Sequence, residues 1–223
     1  MSWQVASLPR RLLAVGLAAG LTLAGAGSYE DFFSAIERDD PGKVRELLLR
    51  GFDANTADAK GRYGLYLALT EPAPKTAQVL IDWPKTDVNR LNLAGESALM
   101  IAALKGNLPL AEKLIRKGAD INKTGWSALH YAASGGHSPV IRLLLDNHAY
   151  IDAESPNRTT PLMMAAMYGT PTAVKVLLQE GADPGLKNEQ GLTALQFAER
   201  AKQRESAAEI VLLLRSRRPA GQW

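Results

Sequence analysis

Side chains suited to acid–base or metal chemistry are scarce in these 223 residues, which hold three histidines and no cysteine. His130 and His137 fall within one stretch, "GWSALHYAASGGHSPV", and His148 follows it. A zinc site needs three or four thiolate, imidazole or carboxylate donors at short, characteristic spacings, and no histidine stands in such a set. No serine occupies a G-x-S-x-G elbow, and no phosphate loop or dinucleotide fingerprint is present. "GLAAG" and "GAGSYE" lie in or beside an N-terminal export signal and are not counted as phosphate loops. Paired carboxylates such as Asp39 and Asp40 are expected to face water. No catalytic residue, cofactor site or metal site is expected, and the chain is not expected to be an enzyme.

The N-terminus has its own character. Arg10 and Arg11 precede an uncharged apolar run over residues 12–23, and "AGA" at 24–26 offers the small-x-small pattern of a signal-peptidase site. The run is too short for a membrane span, which needs about 20 apolar residues. Residues 1–26 are therefore expected to be a cleavable signal peptide, cut after Ala26 and leaving no span behind. Pro9 and the strong apolarity favour general secretory export over the twin-arginine route. Of 26 basic and 23 acidic side chains, Arg10 and Arg11 leave with the leader, so the mature chain is close to neutral. The sequence pI of 9.1 overstates its basicity, and electrostatic capture of nucleic acid is not expected. Export without cysteines suits a bacterial periplasm better than a disulfide-dependent extracellular module.

The stretch around His130 is one copy of a repeat. Leu129 has counterparts at Leu65, Leu99, Leu162 and Leu195, at intervals of 34, 30, 33 and 33 residues. A second landmark, "GFDAN" at Gly51, returns at Lys85, Gly118, His148 and Gly181, at intervals of 34, 33, 30 and 33. Both series share one spacing and the same three-residue deficit, which defines the unit.

Each copy reads as two helices. The first is rich in small residues, with the pairs Ala102 and Ala103, Ala132 and Ala133, and Ala165 and Ala166. It is expected to end at Gly106, Gly136 or Gly169, where a left-handed residue carries no Cβ penalty. The second starts near Pro41, Pro109, Pro139 or Pro171, because proline is tolerated in a first helical turn. Its buried stripe is Val44, Leu47 and Leu48, then Val140, Leu143 and Leu144, then Val174, Leu177 and Leu178. Tight turns of Asx-x-x-Gly type join the copies, pairing Asp58 with Gly61, Asn92 with Gly95, Asn122 with Gly125 and Asn188 with Gly191.

"TTPLMMAAMYGTPTAVKVLLQEGADP" and "GWSALHYAASGGHSPVIRLLLDNHAYID" resemble the ankyrin-repeat family, through its T-P-L-H-x-A-A, G-H, L-L and G-A-D-x-N signatures. The resemblance runs from about Asp31 to Arg215, and the chain resembles exported, periplasmic bacterial members of the family. It implies an all-α solenoid of stacked ankyrin repeats. Four central copies (58–91, 92–121, 122–154 and 155–187) lie between a degenerate N-terminal cap (27–57) and a C-terminal cap (188–216), with a basic tail over 217–223. Single units cannot bury their apolar stripe alone, so neighbours must stack.

Three departures stand out. The third finger is three residues short, so Asn122 both ends "GADIN" and opens a turn. Arg158 stands where the fourth turn wants glycine, so Asn157 is expected to take the positive φ instead. The segment with Pro72, Pro74 and Pro84 lacks the helix-ending glycine, leaving its boundary and Trp83 undefined.

The family resemblance also implies roles. His130 is expected to hydrogen-bond backbone across repeats, His137 to fill a second motif position, and His148 to be solvated. Turn tips and first-helix ends are expected to align on one concave side and to bind a partner protein. These positions are Arg62, Leu93, Glu96, Leu104, Lys105, Thr124, Trp126, Asn157, Thr159, Met167, Tyr168, Gln190, Leu192 and Arg200. Trp126 and Tyr168 are the expected anchors, the alternative being that Trp126 folds onto its own short finger. Ile101, Tyr131 and Met164 are counted as core. The chain is thus expected to be a monomeric, periplasmic or secreted module that binds an unidentified protein. The rival reading is an accessory or inhibitory subunit of a periplasmic enzyme or exported toxin.

Overall fold

Alanine-rich and leucine-rich stretches, most of them closed within two or three turns, produce helices in pairs. The computed structural model describes residues 23–71 and 73–216, so residues 1–22 of the expected signal segment over 1–26, Pro72 and the tail over 217–223 lie outside them. The first helices of the pairs are α1 (Leu23–Glu37), α3 (Gly64–Thr70), α5 (Ala98–Leu104), α7 (Ala128–Ser134), α9 (Pro161–Tyr168) and α11 (Ala194–Arg200). The second helices are α2 (Pro41–Leu49), α4 (Pro74–Asp82), α6 (Leu108–Arg116), α8 (Ser138–Asp146), α10 (Pro171–Gln179) and α12 (Arg204–Ser216). Among the described residues, strand pairing is limited to one antiparallel bridge between Ala57 and Tyr63.

Each pair packs on the next, giving a row of first helices and a row of second helices. Leu99, Leu129 and Leu162 are fully buried between them, as are Val140, Leu144, Val174 and Leu177. The three alanine pairs are wholly buried. They let α5, α7 and α9 pack intimately on one another, in keeping with the expectation that the first-helix side is the concave one.

Prolines act where expected. Pro41, Pro109, Pro139 and Pro171 lie in first turns, and Pro74 opens α4. That settles the proline-rich segment: Glu71 leaves α3 in an extended conformation, α4 starts at Pro74, and half-buried Trp83 closes it. Gly106 and Gly136 end their helices at φ of 66° and 71°. Gly169 does not, with φ of −84°. It is needed for proximity instead, since a Cβ there would strike the carbonyl oxygen of Ala133.

A side-chain ladder ties neighbouring units together. Asn55 donates to the Lys85 carbonyl (2.8 Å) and accepts from the Asp87 N–H (2.8 Å). Asn89 does the same with Gly118 and Asp120, and Asn122 with His148 and Tyr150. In the fourth rung Asp152 replaces asparagine and can only accept, from the Asp183 N–H at 3.1 Å. Burial is the main reason its pKa is raised, with the charge of Asp183 adding to it against the Asp183 N–H bond.

Candidate functional site

The concave side is built from turn tips and from the ends of the first helices. Three tips share one construction, in which a carboxylate or amide oxygen accepts two backbone N–H groups. Asp58 takes those of Lys60 and Arg62, Asn92 those of Ala94 and Glu96, and Asn188 those of Gln190 and Leu192. Gly61, Gly95 and Gly191 close these turns at positive φ. Burial opposes ionisation of Asp58, but the Arg62 N–H and guanidinium outweigh it and its pKa is lowered.

The other two tips depart from the sequence reading. In the fourth, Arg158 itself takes the left-handed conformation (φ 60°), not Asn157. Its N–H closes the turn onto the Ser155 carbonyl (2.8 Å), and its guanidinium is held by Glu154. In the third, Asn122 does one job only. Its amide serves the ladder, and among the described residues no backbone bond joins Asn122 to Gly125 or Trp126. The missing three residues are the turn itself.

The row one position before each first-helix cap shows what the tips present. It runs Arg62, Glu96, Trp126, Thr159 and Leu192. Arg62 is engaged by Asp58 at 2.7 Å. Trp126 is half-buried and meets the His130 ring edge-on, with centroids 5.3 Å apart. Trp126 thus follows the alternative given for it, in which the short finger lets it lie down on the core, and it is not a freely exposed anchor. Thr159 and Leu192 do not belong to the surface either. Both are buried, Thr159 because its carbonyl lies against His130 and its N–H against Ser155, and Leu192 because the fifth tip folds over it.

The remaining positions do reach solvent. Leu93 is 86% exposed and leans over Gly61 of the neighbouring tip. Thr124, Asn157, Gln190, Lys105 and Arg200 are exposed. Asn157 also links two tips, its carbonyl accepting from the Glu189 N–H at 3.1 Å. At the ends of α5 and α9, Leu104 is 37% and Tyr168 59% exposed, with Met167 half-buried beside the latter.

Histidine chemistry is structural. The Ser127 N–H donates to His130 Nδ1 (3.2 Å), which fixes the proton on Nε2, and Nε2 donates to the Thr159 carbonyl in the next unit (2.9 Å). Burial lowers its pKa to about 4. His137 Nε2 donates to the Leu104 carbonyl (2.9 Å), its ring lying against Gly106 and Gly135. His148 is exposed at φ 65°.

One cluster was not foreseen. Glu96 accepts from the Tyr66 hydroxyl (3.2 Å) and the Asn92 amide (2.8 Å) on Oε2, and from the Tyr131 hydroxyl (2.9 Å) on Oε1. Burial first, and then the carboxylate, raise the pKa of both tyrosines. Tyr131 and Met164 are thus only partly core, whereas Ile101 is buried as expected. Tyr66 and Tyr131 sit at different positions of their copies, so the period hides that their hydroxyls converge. Among the described residues no group of three or more potential ligands could hold a metal, and no helix is long and apolar enough to cross a membrane.

Comparison with known proteins agrees with this architecture. The model of a family described as "Ankyrin repeats (3 copies)" matches residues 32–124, 65–155 and 129–218. The chain is 33% identical over 152 residues to the nuclear factor NF-kappa-B p105 subunit of Gallus gallus, a stretch covering 65% of this chain but only 16% of that protein. It is 28% identical to the putative ankyrin repeat protein YahD of Escherichia coli (strain K12), over 82% of this chain and 94% of that one. Among solved structures it is similar to a chain in the complex of Bd0816 predatory endopeptidase from Bdellovibrio bacteriovorus with immunity protein Bd3460. The TM-score is 0.70 and the identity 27%, over 82% of this chain and 97% of that chain.

Proposed function

The chain belongs to the ankyrin-repeat family, and from that premise we propose that it is a non-enzymatic, monomeric module of the bacterial cell envelope that holds a partner protein on its concave side. Ankyrin repeats are protein–protein interaction modules. The observation that carries the reading is the exposure of Leu104 and Tyr168 on helices fixed by buried alanines, and of Leu93 on a tip fixed by Asn92. Large apolar side chains held this way lose little freedom on association, so their burial is converted efficiently into affinity. Export rests on the apolar run over 12–23 and the following "AGA". Fractionation of expressing cells tests it: mature protein in the periplasmic fraction is expected, and full-length protein in the cytoplasm would refute it.

The second reading, an inhibitory or accessory subunit, draws support from the neighbour that is an endopeptidase complexed with an immunity protein. Immobilised mature chain incubated with periplasmic extract tests both. A stoichiometric partner whose retention falls in Tyr168→Ala is the expected result. If that partner is an enzyme whose rate changes on binding, the regulatory reading holds; if its rate is unchanged, the chain only tethers.

A further inference from the structure

We infer that Glu96 is the charge-selective anchor of the concave face and receives a cationic side chain, arginine or lysine, from the bound protein. The inference rests on the concave-face reading above and deepens it. A carboxylate offers about four acceptor sites. Tyr66 and Asn92 occupy two on Oε2 and Tyr131 one on Oε1, which leaves a site on Oε1 unfilled among the contacts described. All three donors are neutral. Among the described residues no lysine or arginine pairs with Glu96, and the nearest counterpart in the row, Arg62, is held by its own Asp58. Most other acids along the stack that have an ion pair find it within their own helix or turn, as Glu46, Glu112 and Glu154 do.

A half-buried carboxylate whose hydrogen-bond donors are all neutral has no counter-charge among them and is already oriented, so an incoming cation meets no reorganisation. The surroundings suit such a guest: Tyr66 and Tyr131 flank the carboxylate from the helices on either side, and Trp126 occupies the equivalent place on the next tip. Tyr66, Tyr131 and Asn92 are positioning residues, since they act through the carboxylate.

The test uses blocked tripeptides, Gly-Arg-Gly and Gly-Lys-Gly, with Gly-citrulline-Gly as the neutral isostere, titrated into the 15N-labelled mature chain. Both cationic probes are expected to perturb the Glu96 amide and the Trp126 indole and to bind at least tenfold tighter than citrulline. Their ratio tells which cation is preferred. Glu96→Gln, which removes the charge and turns one of the two acceptor oxygens into a donor, is expected to abolish that difference in a chain whose amide spectrum is still that of the folded state. Tyr131→Phe, which keeps the charge but loosens its hold, is expected to retain the preference with weaker binding of both cationic probes. Equal binding of cationic and neutral probes, or a preference that survives in Glu96→Gln, would overturn the inference. Should that happen while partner retention still depends on Tyr168, the charge-selective anchor fails and the concave-face reading stands.

Discussion

His130 shows how a residue with catalytic potential is spent on architecture. Its neutral form is locked by a donor on one ring nitrogen and an acceptor on the other, and burial holds its pKa at about 4. The unfolded chain binds a proton near pH 6.5, the folded chain only near 4. Between those values the unfolded state holds more protons, so stability is full above about 6.5 and falls as pH drops toward 4, by on the order of 3 kcal/mol. Urea denaturation at pH 7 and pH 4.5 should show this slope, and His130→Gln should flatten it. Asp152 gives the opposite sign. Its folded pKa is raised, so its contribution is favourable below about pH 3.8 and is lost as pH rises through the folded value. Asp152→Asn restores the missing donor to the Gly181 carbonyl and removes a charge, and should stabilise the fold at pH 7 by about 1 kcal/mol in the same assay. The role of His130 was legible because its motif fixes its partners. The Glu96 cluster was not, because it depends on where two phenol hydroxyls end in space, and spacing carries no such information.

Short helices stand here because they are stacked, several of them also capped by a side chain, as by Asp40, Ser97, Asn107, Thr160 and Thr170. The proline starts were legible, and α4 follows the same rule at Pro74 despite its crowded prolines. Leu144 lies in α8 with no exposed surface, so Leu144→Ala should cost roughly 2–5 kcal/mol, read as a lowered melting temperature without loss of helical signal below it. The turns were less legible. Two positions that motif alignment placed on the surface, Thr159 and Leu192, are buried because a tip's backbone bonds, not its place in the period, decide which way the side chain goes. The short third finger is the clearest case. With three residues removed, Asn122 keeps the ladder and abandons the turn, and Trp126 settles against His130. Trp126→Ala should therefore lower stability as well as affinity, whereas Tyr168→Ala should lower affinity by ~1–3 kcal/mol and leave the melting temperature in place. Calorimetric unfolding beside a binding isotherm separates the two effects.

At the scale of the molecule the period defined a repeat unit that has to stack, and the resemblance to ankyrin repeats implied the form of the stack. What the stack offers is a concave row, assembled from several copies and ordered before any partner arrives, that carries Leu93, Leu104 and Tyr168 into solvent. Exposed leucines on the other side, Leu49 on α2 and Leu212 on α12, supply an internal control of similar chemistry. The most direct measurement is the affinity of the retained partner for two double variants, Leu104→Ala/Tyr168→Ala and Leu49→Ala/Leu212→Ala, each compared with the mature chain by calorimetry. Weakening by a factor of ten to several hundred in the first, with affinity unchanged in the second, is the predicted result; unchanged affinity in the first, or an equal loss in both, would contradict a binding face built from the first helices.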